Sequence, residues 1–509
     1  MLPFLNNATQ SAQKQIVNFR GINYGDQIVD GDLAESLNLS TRRFPYLTTR
    51  RARAQQKQYA GATALTARGG LVVVQGTKLL YDGVEVGTVT AGEKQFAVVN
   101  TKMVIWPDKV YLDLNNRTVK PLGAKLSGKG AIFAANKMTV SGWGNLTAHF
   151  KSGDTVTISG GTAKTANNKD IHIESVTATE LIVGEKGFVE GTESGTITIE
   201  RKIPDLDFIC ESENRLWGCS NAAQTIYASA LGDPTNFFVG EGIATDSYAV
   251  AVGSEGDFTG CCKLTSSVLF WKETRLHKML GSYPAEYSLY TYEIEGLQKG
   301  CHKSLQIVNE VLYYMGLHGV YAYSGGLPSL VSANFGARNF TNAVAGNDGD
   351  SYYLSVQDGA SWHLLVFETR TSQWMREDDT HVLDFGRIGK DLYFLDSTGK
   401  VWLADGGQDD MGQAWLAQFT PFHEAIQGRK RYSNLLLRVE LPRGAWMKTE
   451  VRCDGGRWLE CGKILGREAD SIPVVIPVNR CDCFEVRLSG CGPCTVRAMM
   501  LEYTVGSDV

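Results

Sequence analysis

From about residue 60 onward the apolar positions come in short runs of about five residues rather than with a helical period. LVVVQ, KLLYDG and VEVGTV lie between Leu71 and Val89, and FAVVN, MVIWPDK, VYLDL and TVKPL follow. Each run is rich in β-branched or aromatic side chains, and Gly, Asn or Asp fills the gaps. The pattern therefore predicts short strands joined by tight turns. It resumes at residue 207 with DFICESENRLWGCSNAAQTIYAS and continues through four further units. Aligned on the aromatic of the second strand (Trp217, Phe270, Tyr313, Tyr353, Tyr393), the units step by 53, 43, 40 and 40 residues. Propeller blades repeat every roughly 40 to 50 residues. One such sheet cannot bury both faces alone, whereas radial stacking buries both and leaves only short edges. The expected fold is all-β: a β-propeller of about six or seven blades, with units near 60–90, 94–122, 206–240, 247–294, 301–334, 339–377 and 381–406. A string of β-sandwiches is the alternative that periodicity leaves open. In the last unit, DSTGKVW (Asp396 to Trp402) supplies an Asp to bond the turn backbone and Gly399 for a left-handed position.

Three segments depart from the repeat. Residues 1–59 are polar and irregular, and read as an extended N-terminal arm with a basic cluster at Arg42, Arg43, Arg50, Arg51 and Arg53. These arginines are the candidate partner-docking residues, and on this reading deleting residues 1–55 leaves a folded monomer that cannot join its assembly. The first blades occupy 60–123 and the remaining ones 204–412. Between them, residues 124–203 alternate Val, Thr and Ile with Gly and Asn-Asn turns. This is the pattern of a small inserted β-barrel or sandwich, of the kind tolerated at loop tips. Residues 413–509 read as a C-terminal antiparallel β-sandwich, because arginine alternates with apolar residues around Leu437, Arg438 and Val439.

Charge is nearly balanced, with 50 Lys+Arg against 55 Asp+Glu, so overall basicity does not point to sustained nucleic-acid binding. No apolar run approaches the ~20 residues a membrane helix needs, and the first residues lack the pattern of an export signal. That favours a reducing compartment and free thiols for the 11 cysteines.

Six of these crowd the C-terminal region: Cys453, Cys461, Cys481, Cys483, Cys491 and Cys494. Thiolates can hold zinc tetrahedrally, so Cys481, Cys483, Cys491 and Cys494 are weak metal candidates, but a zinc ribbon pairs two CxxC knuckles and only one is present. The bland reading is small buried side chains, with disulfides formed after assembly as another. CGPC at Cys491–Cys494 matches a thioredoxin-type redox motif. That chemistry needs a following helix N-terminus, yet TVRAMMLEYTV follows with β character. Adjacent acids occur at Glu377, Asp378 and Asp379 and at Asp409 and Asp410; a glycosidase needs two opposed carboxylates at a set separation, which sequence cannot supply. No histidine metal motif, Walker loop or dinucleotide fingerprint is present. No catalytic residue and no cofactor is assigned, and a non-enzymatic role is expected.

Several phrases resemble one family. GINYGDQIVDGDLAESLNLSTRRFPYLTTR is similar to the opening of the tail nozzle, or tail tube stabilisation, proteins of short-tailed bacteriophages and related prophages. PDLDFICESENRLWGCS, TIYASALGDPTNF, TDSYAVAVGSEGDFTGC, VLFWKETRLHKMLG and HGVYAYSGGLPSLVS resemble their middle, and GDTVTISGG…NNKDIHIESVTATELIV resembles a small β module of phage tail and connector proteins. The resemblance spans most of the chain and carries no catalytic residues. It implies a structural virion protein that self-associates into a ring, commonly of six copies. The ring would sit below the portal and adaptor, dock tail fibres or spikes, and let genomic DNA pass in transit. It implies assembly in the bacterial host cytoplasm and residence in the virion tail. The alternative is a host receptor- or glycan-binding tail protein, with Trp143, Trp362 and Trp374 as candidate rim aromatics.

Overall fold

The computed structural model describes residues 10–184, 187–237, 243–422, 429–477 and 480–505. Strands dominate, with five 3-10 turns of three residues each among the described residues. The fold is an all-β propeller of seven four-stranded sheets with an inserted β domain and a C-terminal β-sandwich. By their first strands, the seven sheets begin at Ala62–Ala67, Gln95–Val99, Phe208–Ser212, Gly260–Leu264, Gln306–Val308, Phe340–Asn347 and Val382–Ile388. The chain divides into two units, one of residues 72–302 and one of residues 1–71 and 303–509.

In the 72–302 unit, strand Phe208–Ser212 packs against both Gln95–Val99 and Gly260–Leu264. Successive sheets thus meet along their first strands, as blades do around an axis. The second strands are the most buried, because sheets cover them on both sides. Arg215–Ser220 and Ser267–Trp271 are buried at every position. The aromatic residues that set the repeat lie on these strands, Trp217 packing on Phe270 at 6.2 Å between ring centroids. The insertion is a seven-stranded sheet built around the pair Ala124–Ala134 and Gly191–Arg201. It has its own apolar core, including Phe133, Met138, Phe150, Ile158, Leu181 and Ile199.

In the other unit the same scheme continues: Phe340–Asn347 packs against Gln306–Val308 and Val382–Ile388. Tyr352 and Leu354 are fully buried on the second strand of their sheet, and Phe394 and Leu395 on the next. The last sheet contributes only three of its strands from residues 382–403. Its fourth is Ala54–Gln58, which pairs antiparallel with Lys400–Leu403. The Asp396 turn forms as its sequence implies. Oδ1 accepts from the backbone N–H of Thr398 (2.8 Å) and Lys400 (3.0 Å), and Oδ2 accepts from the Trp402 indole (2.8 Å). Gly399 has φ +81°, and a Cβ there would lie 2.3 Å from the Tyr59 carbonyl oxygen, so glycine is required twice over.

The C-terminal sandwich is a nine-stranded sheet, and the N-terminal segment is built into it. Leu33–Leu37 pairs with Ala414–Phe419, Leu47–Thr49 with Thr495–Val505, and Gln10–Ile16 with the far part of Thr495–Val505. Phe19, Ile22, Leu33, Leu39 and Leu47 are all buried. The stretch read as an extended arm is therefore strand-paired structure over its described part; residues 1–9 lie outside the described residues. It read as irregular because its strands are short and their partners are hundreds of residues away, so no local period reveals them.

The sandwich also disposes of the shared-metal reading. Cys481 and Cys483 precede the eight-residue strand Phe484–Cys491, and Cys491 and Cys494 lie at its other end. At about 3.3 Å per residue the two pairs are roughly 25 Å apart, far beyond one tetrahedral ion. Among the described residues no group of three or more His, Cys, Asp or Glu could hold a metal. CGPC is the turn between strands Phe484–Cys491 and Thr495–Val505, with Gly492 at φ +87°, so no helix N-terminus follows it. Burial pushes the Cys494 thiol up to about 12, as for a small buried side chain.

Candidate functional site

Four of the five arginines, Arg42, Arg43, Arg50 and Arg51, line a cleft of about 260 Å³ in the unit that holds the N-terminal segment, and Arg53 lies buried beside it. The turn between strands Leu39–Ser40 and Leu47–Thr49 presents Arg42 and Arg43, and the chain leaving the second strand presents Arg50, Arg51 and Arg53. Facing them are Asp348, Glu368, Glu377 and Asp378, from the sheet that begins at Phe340–Asn347, and Asp405, just after the last sheet.

Three of the five arginines are committed internally. Arg53 bridges two carboxylates, donating to Glu377 and to Asp378 at 2.7 Å each, and also to Thr380 Oγ1 at 3.1 Å. Its side chain is only 9% exposed, and it lies 5.1 Å from the centroid of the Phe394 ring. Burial works against its charge, but the two carboxylates outweigh that and raise its pKa. Burial likewise raises Asp378, and Arg53 and Thr380 more than reverse it. Arg50 donates to Asn38 Oδ1 at 2.8 Å and stands 3.7 Å from Glu377. Arg42 pairs with Asp348 and donates to the Tyr353 hydroxyl at 2.8 Å. Burial holds that phenol well above its ordinary pKa, so it stays a neutral acceptor.

Arg43 and Arg51 are exposed, Arg51 with one carboxylate, Asp405, at 3.6 Å. They form the outward-facing part of the cluster. The site is thus an ion-paired staple with three exposed cations, Arg42 paired inward with Asp348 and Arg43 and Arg51 at its rim. Chemically it holds strands together and can meet an acidic surface.

The same geometry accounts for the acidic run. Glu377 and Asp378 are bound by Arg53, and Asp379 by Arg376 and by His363 at 3.0 Å. Asp410 caps a turn through the Gly412 N–H. What sequence reasoning missed was the pairing of residues 42–53 with residues 348–405. The usable signal was a basic run and an acidic run of matching size, but complementarity across some 300 residues of chain has no spacing rule. The candidate rim aromatics are mostly interior. Trp374 and Trp143 are buried, and Trp362 stacks on His381 with ring centroids 3.5 Å apart.

A second charged site lies in the insertion. Glu193 is wholly buried and accepts from the backbone N–H groups of Gly195, Lys164, Ala163 and Thr162. These donors, Gly195 foremost, hold its carboxyl at about 2, against about 4.5 for an unperturbed Glu. A depressed carboxylate contributes stability that is full above the unfolded pKa and lost as pH falls through the folded one. Amide protection at residues 162–164 is therefore expected to fall between about pH 4.5 and 2. Glu193→Gln should remove that acid step in hydrogen exchange; an unchanged acid profile in the variant would show that other groups govern it.

No family model matches the chain, and no curated protein matches it. Among solved structures, BamB from Moraxella catarrhalis aligns over 70% of this chain and 97% of its own, at 11% identity and a TM-score of 0.31. Hsv2 of Kluyveromyces lactis aligns over 39% of this chain and 60% of its own, at 15% identity and a TM-score of 0.28. An exo-β-1,3-galactanase from Phanerochaete chrysosporium aligns over 56% and 92%, at 7% identity and a TM-score of 0.21. Likenesses this distant carry no inference about what the chain does.

Proposed function

We propose that the protein is a structural component of a bacteriophage tail, a nozzle-type subunit that assembles into a ring through which the genome leaves. The observation that carries this reading is how the N-terminal segment is used. It supplies strands to the sandwich, completes the last propeller sheet and is stapled to the sheet before it by the ion pairs of the buried Arg53. Such construction makes a rigid body, as a load-transmitting scaffold requires, and commits the strongest charges to holding it together. The phrases resembling tail nozzle proteins point the same way. On this reading Arg43 and Arg51 are the cations left to meet an acidic surface of an adaptor or a neighbouring subunit. Ring formation in the host cytoplasm, commonly of six copies, and docking of fibres or spikes follow from the same resemblance.

The test is electron microscopy and sedimentation of the purified protein, with proteomics of particles from its host. Rings with a central opening, and the chain among particle proteins, are the expected result. A protein that stays monomeric at high concentration and is absent from particles would overturn the reading. Tight binding of that monomer to host cells would instead favour a receptor- or glycan-binding role.

A further inference from the structure

The sandwich brings two of the C-terminal cysteines face to face. Cys453 ends the strand Arg431–Cys453, and Cys481 lies just before the strand Phe484–Cys491 that pairs with it. Their sulfur atoms are 2.8 Å apart. A disulfide bond is about 2.05 Å long, so a shift of roughly 1 Å brings the two sulfurs to bonding distance. The backbone around both is pinned. Cys481 exchanges two hydrogen bonds with Lys430, at 2.8 and 2.9 Å. The Asp454 N–H donates to the Cys483 carbonyl at 2.9 Å, and its carboxylate accepts from the N–H groups of Asp482 and Cys483 at 2.9 and 2.8 Å. The sulfur-to-sulfur approach is thus set by the sheet ladder and the Asp454 turn.

The two thiols are not equivalent. Cys481 is fully buried, whereas Cys453 is only partly buried. Their sulfur–sulfur contact couples the two thiols, so that they share one proton more readily than two separate thiols would. A partly exposed thiol backed by a buried one within bonding reach is the arrangement of an attacking and a resolving cysteine. The propeller thiols Cys210 and Cys261 also interact. There, however, mutual hydrogen bonding and burial push Cys210 up, and burial pushes Cys261 up, so both stay protonated.

We propose that Cys453 and Cys481 are an oxidative modification site that takes a low-molecular-weight disulfide as oxidant and closes into an intramolecular disulfide. The Cys453 thiolate attacks one sulfur of the oxidant RSSR, forming a mixed disulfide and expelling RS⁻. Cys481 then gives its proton to RS⁻, and its sulfur attacks Cys453 Sγ, breaking the Cys453–SR bond and releasing the second RS⁻, which takes a proton from water. Two protein thiols are oxidised and one RSSR is reduced to two RSH. The new bond closes a covalent loop over residues 453–481, which contains the strand Leu459–Val475. Among the described residues that strand pairs only with Arg431–Cys453, so the bond ties a strand held there on one side to the sheet. The inference stands independently of the tail reading.

The test uses the full chain, folded, incubated with oxidised glutathione, alkylated and mapped by non-reducing mass spectrometry. Free thiols are expected to fall by two per chain. A peptide joining Cys453 to Cys481 should appear, and dithiothreitol should reverse it. Cys481→Ser should accumulate glutathione on Cys453, because the resolving sulfur is gone. Glutathione persisting on Cys453 in the unaltered chain, a link from Cys453 to Cys483, or no thiol loss would each overturn the proposal. The mapping of the unaltered chain decides the matter even if a variant fails to fold.

Discussion

A chain lacking residues 1–55 is expected to be recovered unfolded or aggregated, not as a competent monomer. The deletion removes the strands Gln10–Ile16, Leu33–Leu37, Leu39–Ser40 and Leu47–Thr49 and the first two residues of Ala54–Gln58. It strips partners from Ala414–Phe419, Thr495–Val505 and Lys400–Leu403. Phe19, Ile22, Leu33, Leu39 and Leu47 are each at most 2% exposed, and each contributes about 1.5–3 kcal/mol of burial. Together they rival the whole stability of a domain, about 5–15 kcal/mol. The deletion also leaves Glu377 and Asp378 without Arg53. Circular dichroism and size exclusion of the truncated chain are the check. A soluble product with a native spectrum and a cooperative melt would show that the segment is the detachable arm its sequence suggests.

Arg53→Ala is expected to cost the unit that contains it about 3–5 kcal/mol, the range for removing one partner of a buried ion pair. The magnitude follows from what is left behind. Glu377 is 10% exposed and would keep only Arg50, 3.7 Å away. Asp378 would keep Arg50 at 3.9 Å. Neither replaces a 2.7 Å charge-assisted bond. Arg53→Lys keeps the charge but cannot fork to two carboxylates, so it should fall in between. Because Arg53 directly precedes Ala54–Gln58, amide protection should drop first in that strand and in Lys400–Leu403. Denaturant unfolding with hydrogen exchange reads both effects. Adding Glu377→Gln to Arg53→Ala should recover part of the loss, since it removes the orphaned charge. A loss below about 1 kcal/mol, the level of a surface pair, would mean the cluster is hydrated in solution.

The blades were legible because their signal is local. Each second strand is buried at nearly every position, since sheets pack on both its faces, and Trp217, Phe270, Tyr313 and Tyr353 mark it at near-regular steps. The turn at Asp396 was legible for the same reason: its donors, acceptor and glycine lie within seven residues. The arginine staple was half legible. The cations were found, but their commitment to residues 348–405 was not, and docking was assigned to three side chains that the fold uses itself. The facing of Cys453 and Cys481 was not legible. It depends on the register of two strands separated in the chain by a third, Leu459–Val475, and the cysteine count holds no register.

By itself, then, the sequence determined what neighbouring residues can decide: strand-length apolar runs, turn chemistry, the all-β repeat and the places where the repeat stops. Only the tertiary structure decided which strands complete which sheets. It alone showed that LAESL at 33–37 belongs beside AWLAQF at 414–419, and that AQQKQ at 54–58 closes the last blade. The physical reason is that a strand's backbone donors and acceptors are the same whatever its side chains. Its partner is therefore chosen by the burial and charge of the whole assembly, not by anything written within the strand.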